Sequence, residues 1–258
     1  MSEPSFRYES WAVTHQGKVR ELNEDSYLVE PAAGLWLVAD GMGGYEAGEV
    51  ASSGIVAHLS TIGKSSSASD QHARFIDRLT HANAELQAYS AARDGVTIGS
   101  TVAALLAFKG QYRCLWAGDS RVYLLRRGRL RQLSRDHSEA QEMVETGLLS
   151  EEEARTWHRR NVITRAVGIE PEVTVEVVYG TIEHGDSYIL CSDGLTAHAS
   201  DEDIGAAAAG RRPRDACERL LELTLSRGAT DNVTIIIVQC WNDDSTVPVS
   251  TMKRPADR

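Results

Sequence analysis

The sequence predicts an α+β protein in which helices cover antiparallel sheets. Three observations carry this expectation. Strand-like apolar runs crowd the middle of the chain and are joined by hairpin turns. Helical periodicity is confined to blocks on either side of them. Further apolar runs of strand length lie near both ends. Taken in order, 9–14 and 26–30 read as short strands around a polar turn, and 35–39 as an apolar strand running into the glycine-rich turn 41–44. Small residues Ala47, Val50, Ala51, Gly54, Ile55, Ala57 and His58 make one face of a helix over 45–62, which Gly63 ends. After the serine-rich loop 64–69, a second helix over 70–92 lines up Phe75, Ile76, Leu79, Ala82 and Leu86. Strands over 100–108, 112–117 and 121–126 follow as a meander, with turns at Lys109-Gly110 and Arg127-Gly128. A charged helical stretch, 137–156, breaks at Gly147. Strands return at 173–179 and 187–192, a helix opens on Pro213 and runs to 226, and the apolar run 233–240 reads as a central strand. One domain over 1–241 is expected, with a disordered polar tail over 242–258.

Composition narrows the function. The chain has 258 residues, 42% of them apolar and 25% charged, enough for a sizeable core. A formal net charge of −10 argues against nucleic acid or an anionic membrane as partner. No uncharged apolar stretch approaches the roughly 20 residues needed to cross a bilayer, and the N-terminus lacks a signal-peptide core, so a cytoplasmic protein is expected. Cys114, Cys191, Cys217 and Cys240 form no C-x-x-C pair and none has an arginine six residues on; they read as buried, inert thiols. The eight histidines show no zinc spacing, and no P-loop, dinucleotide fingerprint or G-x-S-x-G elbow is present.

Four aspartates stand out instead. Asp40, Asp119 and Asp193 each follow an apolar run, and Asp231 comes just before one. Alone, each is as well explained by an ordinary turn. Together, carboxylates at strand ends can meet in space, and they repel unless something positive lies between them. Hard dications such as Mn²⁺ or Mg²⁺ prefer such oxygen ligands. Arg20 lies five residues before Asp25, where a guanidinium could clamp a phosphate or carboxylate in bidentate fashion, and Glu24 and Asp25 could hydrogen-bond metal-held waters.

The ordered set is recognisable. Arg20-x-x-Asn-Glu-Asp25, Asp40-Gly-Met-Gly-Gly44, Gly99-Ser-Thr101, Ala117-Gly-Asp119-Ser-Arg121, Asp136-His-Ser138, Asn161-Val-Ile-Thr-Arg165-Ala-Val-Gly168, Ser192-Asp193-Gly-Leu195 and Asp231-Asn-Val-Thr234 occur in succession. Over roughly 8–240 the chain resembles the metal-dependent protein phosphatases of the PP2C (PPM) family, especially the compact bacterial type. The resemblance implies an αββα sandwich of two antiparallel sheets flanked by helices. It implies hydrolysis of phosphoserine and phosphothreonine in proteins with two or three Mn²⁺ or Mg²⁺ ions per chain, in opposition to a bacterial Ser/Thr kinase, by a monomer. By motif position, Asp40 bridges two metals, the Gly41 carbonyl binds the second, Asp193 and Asp231 complete the first, and Asp119 with Asp193 holds a third. Arg20 grips the phosphate, while Glu24, Asp25 and Asn232 orient metal waters. The stretch from about 138 to 160 matches the variable flap. Met42 departs from many eukaryotic members, which have histidine there; methionine gives no proton, so a metal-bound water is the expected acid. The competing readings are a catalytically dead phosphoprotein-binding module on the same fold and a metallophosphatase for small molecules.

Overall fold

The structure is a computed structural model and describes residues 6–43 and 47–242. The expected tail falls outside the described residues except for Asn242, which ends the last strand. The elements run β1 (Phe6–His15), β2 (Asp25–Glu30), β3 (Leu35–Gly43), α1 (Ala47–Ser60), α2 (Ala68–Ala91), β4 (Ile98–Ser100), β5 (Val102–Phe108), β6 (Gln111–Ala117), β7 (Arg121–Arg126) and β8 (Arg129–Gln132). They continue with α3 (Glu139–Glu145), α4 (Glu151–Thr156), β9 (Glu176–Thr181), β10 (Ser187–Cys191), α5 (Asp193–Thr196), α6 (Asp201–Ala208), α7 (Pro213–Ser226) and β11 (Val233–Asn242).

Two antiparallel sheets form, ordered β1-β11-β10-β7-β8 and β2-β3-β5-β6-β9, with β4 attached to β3. Side chains alternate along each strand, so each sheet has two buried faces. Trp36, Val38, Ala103 and Leu105 of one sheet meet Val122, Leu124, Tyr188, Leu190, Ile236 and Val238 of the other in a central layer. The alternate residues Leu35, Leu37, Ala104 and Leu106 pack on Ala51, Ile55, Phe75 and Leu79 of α1 and α2. On the far side Tyr123, Ile189, Ile235 and Ile237 pack on Ile204, Ala216 and Leu220 of α6 and α7. The result is an αββα sandwich.

Three expectations are corrected. The strands over 100–126 do not form one meander. β5 and β6 pair through the Lys109-Gly110 turn, and β7 and β8 through Arg127-Gly128, but β6 to β7 crosses from one sheet to the other through Gly118, Asp119 and Ser120. The apolar run 35–39 does not stop at a turn: β3 continues to Gly43, pairing Gly41, Met42 and Gly43 with β4. The face of α1 is also shifted, because Gly48, Ser52 and Leu59 are buried while Val50 and Ala57 are exposed. All four cysteines are buried and free, as expected. Burial pushes every one of these thiols up, Cys191 and Cys217 to about 12, which makes them inert as nucleophiles near neutral pH.

Candidate metal centre

Strand register gathers the acids at one end of the sandwich. Asp25 opens β2 directly opposite Asp40 on β3. Val102, which opens β5, lies opposite Ala117, which closes β6, so the crossing turn with Asp119 starts at that same end. In the other sheet Arg121 of β7 lies opposite Cys191, which closes β10, and Val233, which opens β11, lies opposite His15. Asp193 and Asp231 flank those termini. Asp40, Asp119, Asp193 and Asp231 thus come together across the two sheets, although they span most of the sequence.

Asp25 and Asp119 are buried, and Oδ1 of each has no hydrogen-bond partner. Asp40, Asp193 and Asp231 are half-buried. Burial, then the neighbouring carboxylates, drives Asp40 and Asp119 well above the usual carboxylate range. Asp193 rises to about 6 by burial and by the charge of Asp231. Asp25 rises to about 7 by burial, partly offset by hydroxyls of Thr234 and Ser192. Acids that raise one another in this way share one low-dielectric volume with too little positive charge in it.

The backbone holding them is tightly fixed. The Asp40 N–H donates to Thr101 Oγ1 (3.0 Å), and Thr101 Oγ1 lies 2.8 Å from Ser120 Oγ, beside Asp119. Ser192 Oγ donates to Asp25 Oδ2 (2.8 Å) and accepts from the Thr234 N–H (2.9 Å), tying β2 to the β10 and β11 termini. Sequence reasoning assigned no role to Thr101, Ser120 or Ser192. Their only signal was adjacency to Asp119 and Asp193, or membership of the Gly-Ser-Thr motif. At Gly41 an added Cβ would sit 2.0 Å from the Gly48 carbonyl oxygen, so α1 can start against β3 only if that position is bare.

Asn232 is put to a different use from the one expected. Its Oδ1 accepts the Glu24 N–H (2.8 Å), and its Nδ2 donates to the carbonyls of Gln16 (2.9 Å) and Leu22 (2.8 Å). Both ends of the amide bond to backbone, so Asn232 staples the 16–24 loop to β11. Glu24 takes the Gly48 backbone N–H at the start of α1, and burial raises its pKa. Arg20 is half-exposed at the rim and donates to Asp231 Oδ2 (2.7 Å), a bond that raises its pKa. Asp231 Oδ1 accepts the Asn232 N–H (2.9 Å), so both oxygens of this carboxylate are occupied. Among the described residues no three Asp, Glu, His or Cys side chains stand as a ready-made cage for one ion.

The donor set nonetheless suits a hard dication. It is all oxygen and rich in carboxylate, and it includes two buried orphan oxygens. Two cavities, of about 420 and 360 Å³, lie elsewhere, one against 31–34 and 107–109 and the other against 127–128 and 209–212.

Comparison with known proteins agrees with this architecture. The family model described as protein phosphatase 2C matches residues 14–231. The chain belongs to the protein phosphatase 2C family. It is 36% identical over 237 residues to the serine/threonine protein phosphatase PstP of Mycobacterium tuberculosis, covering 90% of this chain and 45% of that protein, so it spans under half the length of that relative. A solved structure described as PppA, a key regulatory component of T6SS in Pseudomonas aeruginosa, superposes with a TM-score of 0.85 at 39% identity, covering 91% of this chain and 98% of that one. The catalytic domain of PstP in complex with two manganese ions gives a TM-score of 0.84 at 33% identity, covering 92% of this chain and all of the other.

Proposed function

We propose that this chain is a metal-dependent protein phosphatase that hydrolyses phosphoserine and phosphothreonine in proteins. The observation that carries this reading is the pooling of buried and half-buried carboxylates, two of them with an unpartnered oxygen, at one end of the sandwich. Asp40, Asp193, Asp231 and the Gly41 carbonyl would hold two ions, Mn²⁺ or Mg²⁺, and Asp119 with Asp193 a third. When bound, these dications supply an acidified water for attack on phosphorus and neutralise phosphoryl charge.

The chain's own residues do the rest. If Asp231 serves as an ion ligand it would give up its bond to Arg20, which would free the guanidinium. Arg20, half-exposed at the rim, then takes two phosphoryl oxygens in bidentate fashion and stabilises the charge that spreads over them. Asp25 holds one oxygen on Ser192 and keeps Oδ1 free to orient water. Glu24, in the loop before β2 with its carboxylate on the Gly48 N–H, orients water beside it. Asn232 fixes the loop that carries Arg20 and Glu24. Met42 has no proton to give. The substrate is a phosphoprotein, the antagonist a Ser/Thr kinase of the same pathway, the working form a monomer, and the compartment the cytoplasm. Among the described residues no helix is long and apolar enough to cross a membrane.

The test is hydrolysis of a phosphothreonine peptide with and without Mn²⁺. Mn²⁺-dependent release of phosphate that disappears in Asp40→Asn, with the fold intact by circular dichroism, supports the proposal. Undiminished turnover in that variant rejects the ligand assignment, and turnover of phosphorylated metabolites alone would move the substrate class to small molecules.

A further inference from the structure

Two motifs have no role so far, Asp136-His137-Ser138 and the stretch 161–168, and the structure brings them together. The 138–163 excursion, which carries α3 and α4, leaves and re-enters the body through a narrow neck. Ser138 bridges Ile163, the Glu139 N–H donates to the Val162 carbonyl (2.9 Å), and the Thr164 N–H donates to the His137 carbonyl (2.9 Å). His137 is buried at the base of this neck with its ring stacked on Trp116, centroids 6.1 Å apart.

On its inner side His137 grips Gly118 at two points. Its backbone N–H donates to the Gly118 carbonyl (2.9 Å), and the Gly118 N–H donates to its Nδ1 (3.1 Å). Because Nδ1 accepts, the proton of the neutral ring is on Nε2. Burial, then the nearby Arg165, lowers its pKa and keeps the ring neutral. Nε2 lies 3.2 Å from Glu176 Oε1 and 3.1 Å from Arg165 Nη1, and Nη1 lies 3.3 Å from the same carboxylate oxygen. Both nitrogens are donors, so Glu176 on β9 is the acceptor they share.

Gly118 transmits this grip towards the acids. Its φ of +110° excludes ordinary side chains, and an added Cβ would sit 2.7 Å from Thr101 Cβ. Thr101 in turn bonds Ser120 and the Asp40 N–H. A continuous run of contacts leads from the neck through His137, Gly118, Asp119, Ser120 and Thr101 to Asp40.

We infer that His137 is a positioning residue that keys the neck of the 138–163 excursion to the turn carrying Asp119, so that dication binding at Asp119 and ordering of the excursion are coupled. This rests on the ligand role proposed above for Asp119. The simpler alternative is a buried histidine that only fills space beside Trp116.

Two substitutions separate the ends of the ring. His137→Asn keeps an acceptor near the position of Nδ1 and loses Glu176. His137→Gln reaches towards Glu176 and loses the acceptor for Gly118. Mn²⁺ binding is measured by calorimetry on the full chain, and hydrogen exchange at the Glu139 and Thr164 amides is followed with and without Mn²⁺. In the wild type, Mn²⁺ should slow exchange at both amides. His137→Gln should weaken the lowest-affinity Mn²⁺ site by about tenfold, the scale of an outer-shell effect on a metal, and abolish that response. His137→Asn should keep Mn²⁺ affinity near wild type and speed neck exchange in the metal-free protein. Asp119→Asn is the control and should remove the weakest site. If it removes none, the assignment of Asp119 fails. If it removes one while both His137 variants bind Mn²⁺ and exchange like wild type, or lose thermal stability alike with no change in Mn²⁺ binding, the coupling is overturned. Should His137→Gln not fold, Glu176→Gln keeps the ring and removes the shared carboxylate; like His137→Asn it should speed neck exchange in the metal-free protein with Mn²⁺ affinity near wild type, and neck exchange that Mn²⁺ still slows supports the coupling, whereas neck exchange indifferent to Mn²⁺ overturns it.

Discussion

Asp186 and Asp119 are both buried aspartates, and the molecule treats them in opposite ways. Asp186, 1% exposed, receives Arg126 Nε and Nη2 at 2.7 Å each and the Glu183 N–H at 2.7 Å. Asp136 is likewise clamped by Arg121, through Nε at 2.8 Å and Nη2 at 2.6 Å. Asp119, 8% exposed, and Asp25, 7% exposed, each leave one oxygen without any partner. The first arrangement completes its charge and hydrogen bonds within the chain and serves the fold. The second leaves charge uncompensated, which a fold retains only at a cost and which points to a cation arriving from outside. Acidic character and burial alone do not separate these aspartates; what separates them is whether a guanidinium is built in beside the carboxylate.

Several substitutions break or sharpen this contrast. The largest effect should come from neutralising the pool: Asp193→Asn should lower Mn²⁺-dependent turnover of a phosphothreonine peptide by about 10³-fold or more, about 4 kcal/mol of barrier, without unfolding the protein. Wild-type kinetics in that variant would make the pool a structural feature. Next, Asp186→Asn should cost about 2 kcal/mol in urea denaturation, because it removes the buried charge partner of Arg126, which keeps only its bonds to Glu183 and the Thr181 carbonyl. Asp119→Asn in metal-free protein should cost nothing or stabilise. Equal losses at the two sites would erase the distinction.

The third test is pH. Asp25 at about 7 and Asp193 at about 6 stand above the roughly 3.9 of an unfolded aspartate. Between those values the native state binds more protons than the unfolded chain. The contribution of these groups is therefore fully present below about pH 4 and is lost as pH rises through 6 and 7. Metal-free thermal stability should fall from pH 5 to 8, and Mn²⁺ at about 100 times its Kd should return about 3 kcal/mol at pH 8. A melting temperature flat in pH and indifferent to Mn²⁺ would contradict the account. The smallest effect belongs to Arg20. Arg20→Ala should raise KM for the phosphopeptide by about tenfold, the scale of a charge-assisted hydrogen bond, yet change folding stability by less than about 1 kcal/mol, since its bond to Asp231 is exposed.

The sequence made the carboxylate centre legible because strand ends carry a local signature, an apolar run beside an acid, as at Asp40 and Asp193. Helix α7 was equally legible, since Pro213 marks its start. What escaped depended on partners distant in sequence. The stapling role of Asn232 was hidden because its acceptors at 16 and 22 cannot be inferred from its neighbours. The crossing at 118–120 passed for a tight turn because nothing local says that β6 and β7 join different sheets. The extension of β3 to Gly43 was hidden because glycines signal a turn, whereas here β4 and the start of α1 crowd the backbone. Helix α6 was missed because its alanine-rich buried side gives little periodic contrast.

The most direct measurement is anomalous scattering from crystals grown with Mn²⁺. The account predicts at least two manganese peaks bounded by Asp40, Asp193, Asp231 and the Gly41 carbonyl, with Asp231 released from Arg20. A well-ordered structure with no manganese among these groups, and Asp231 still held by Arg20 at saturating Mn²⁺, would contradict it.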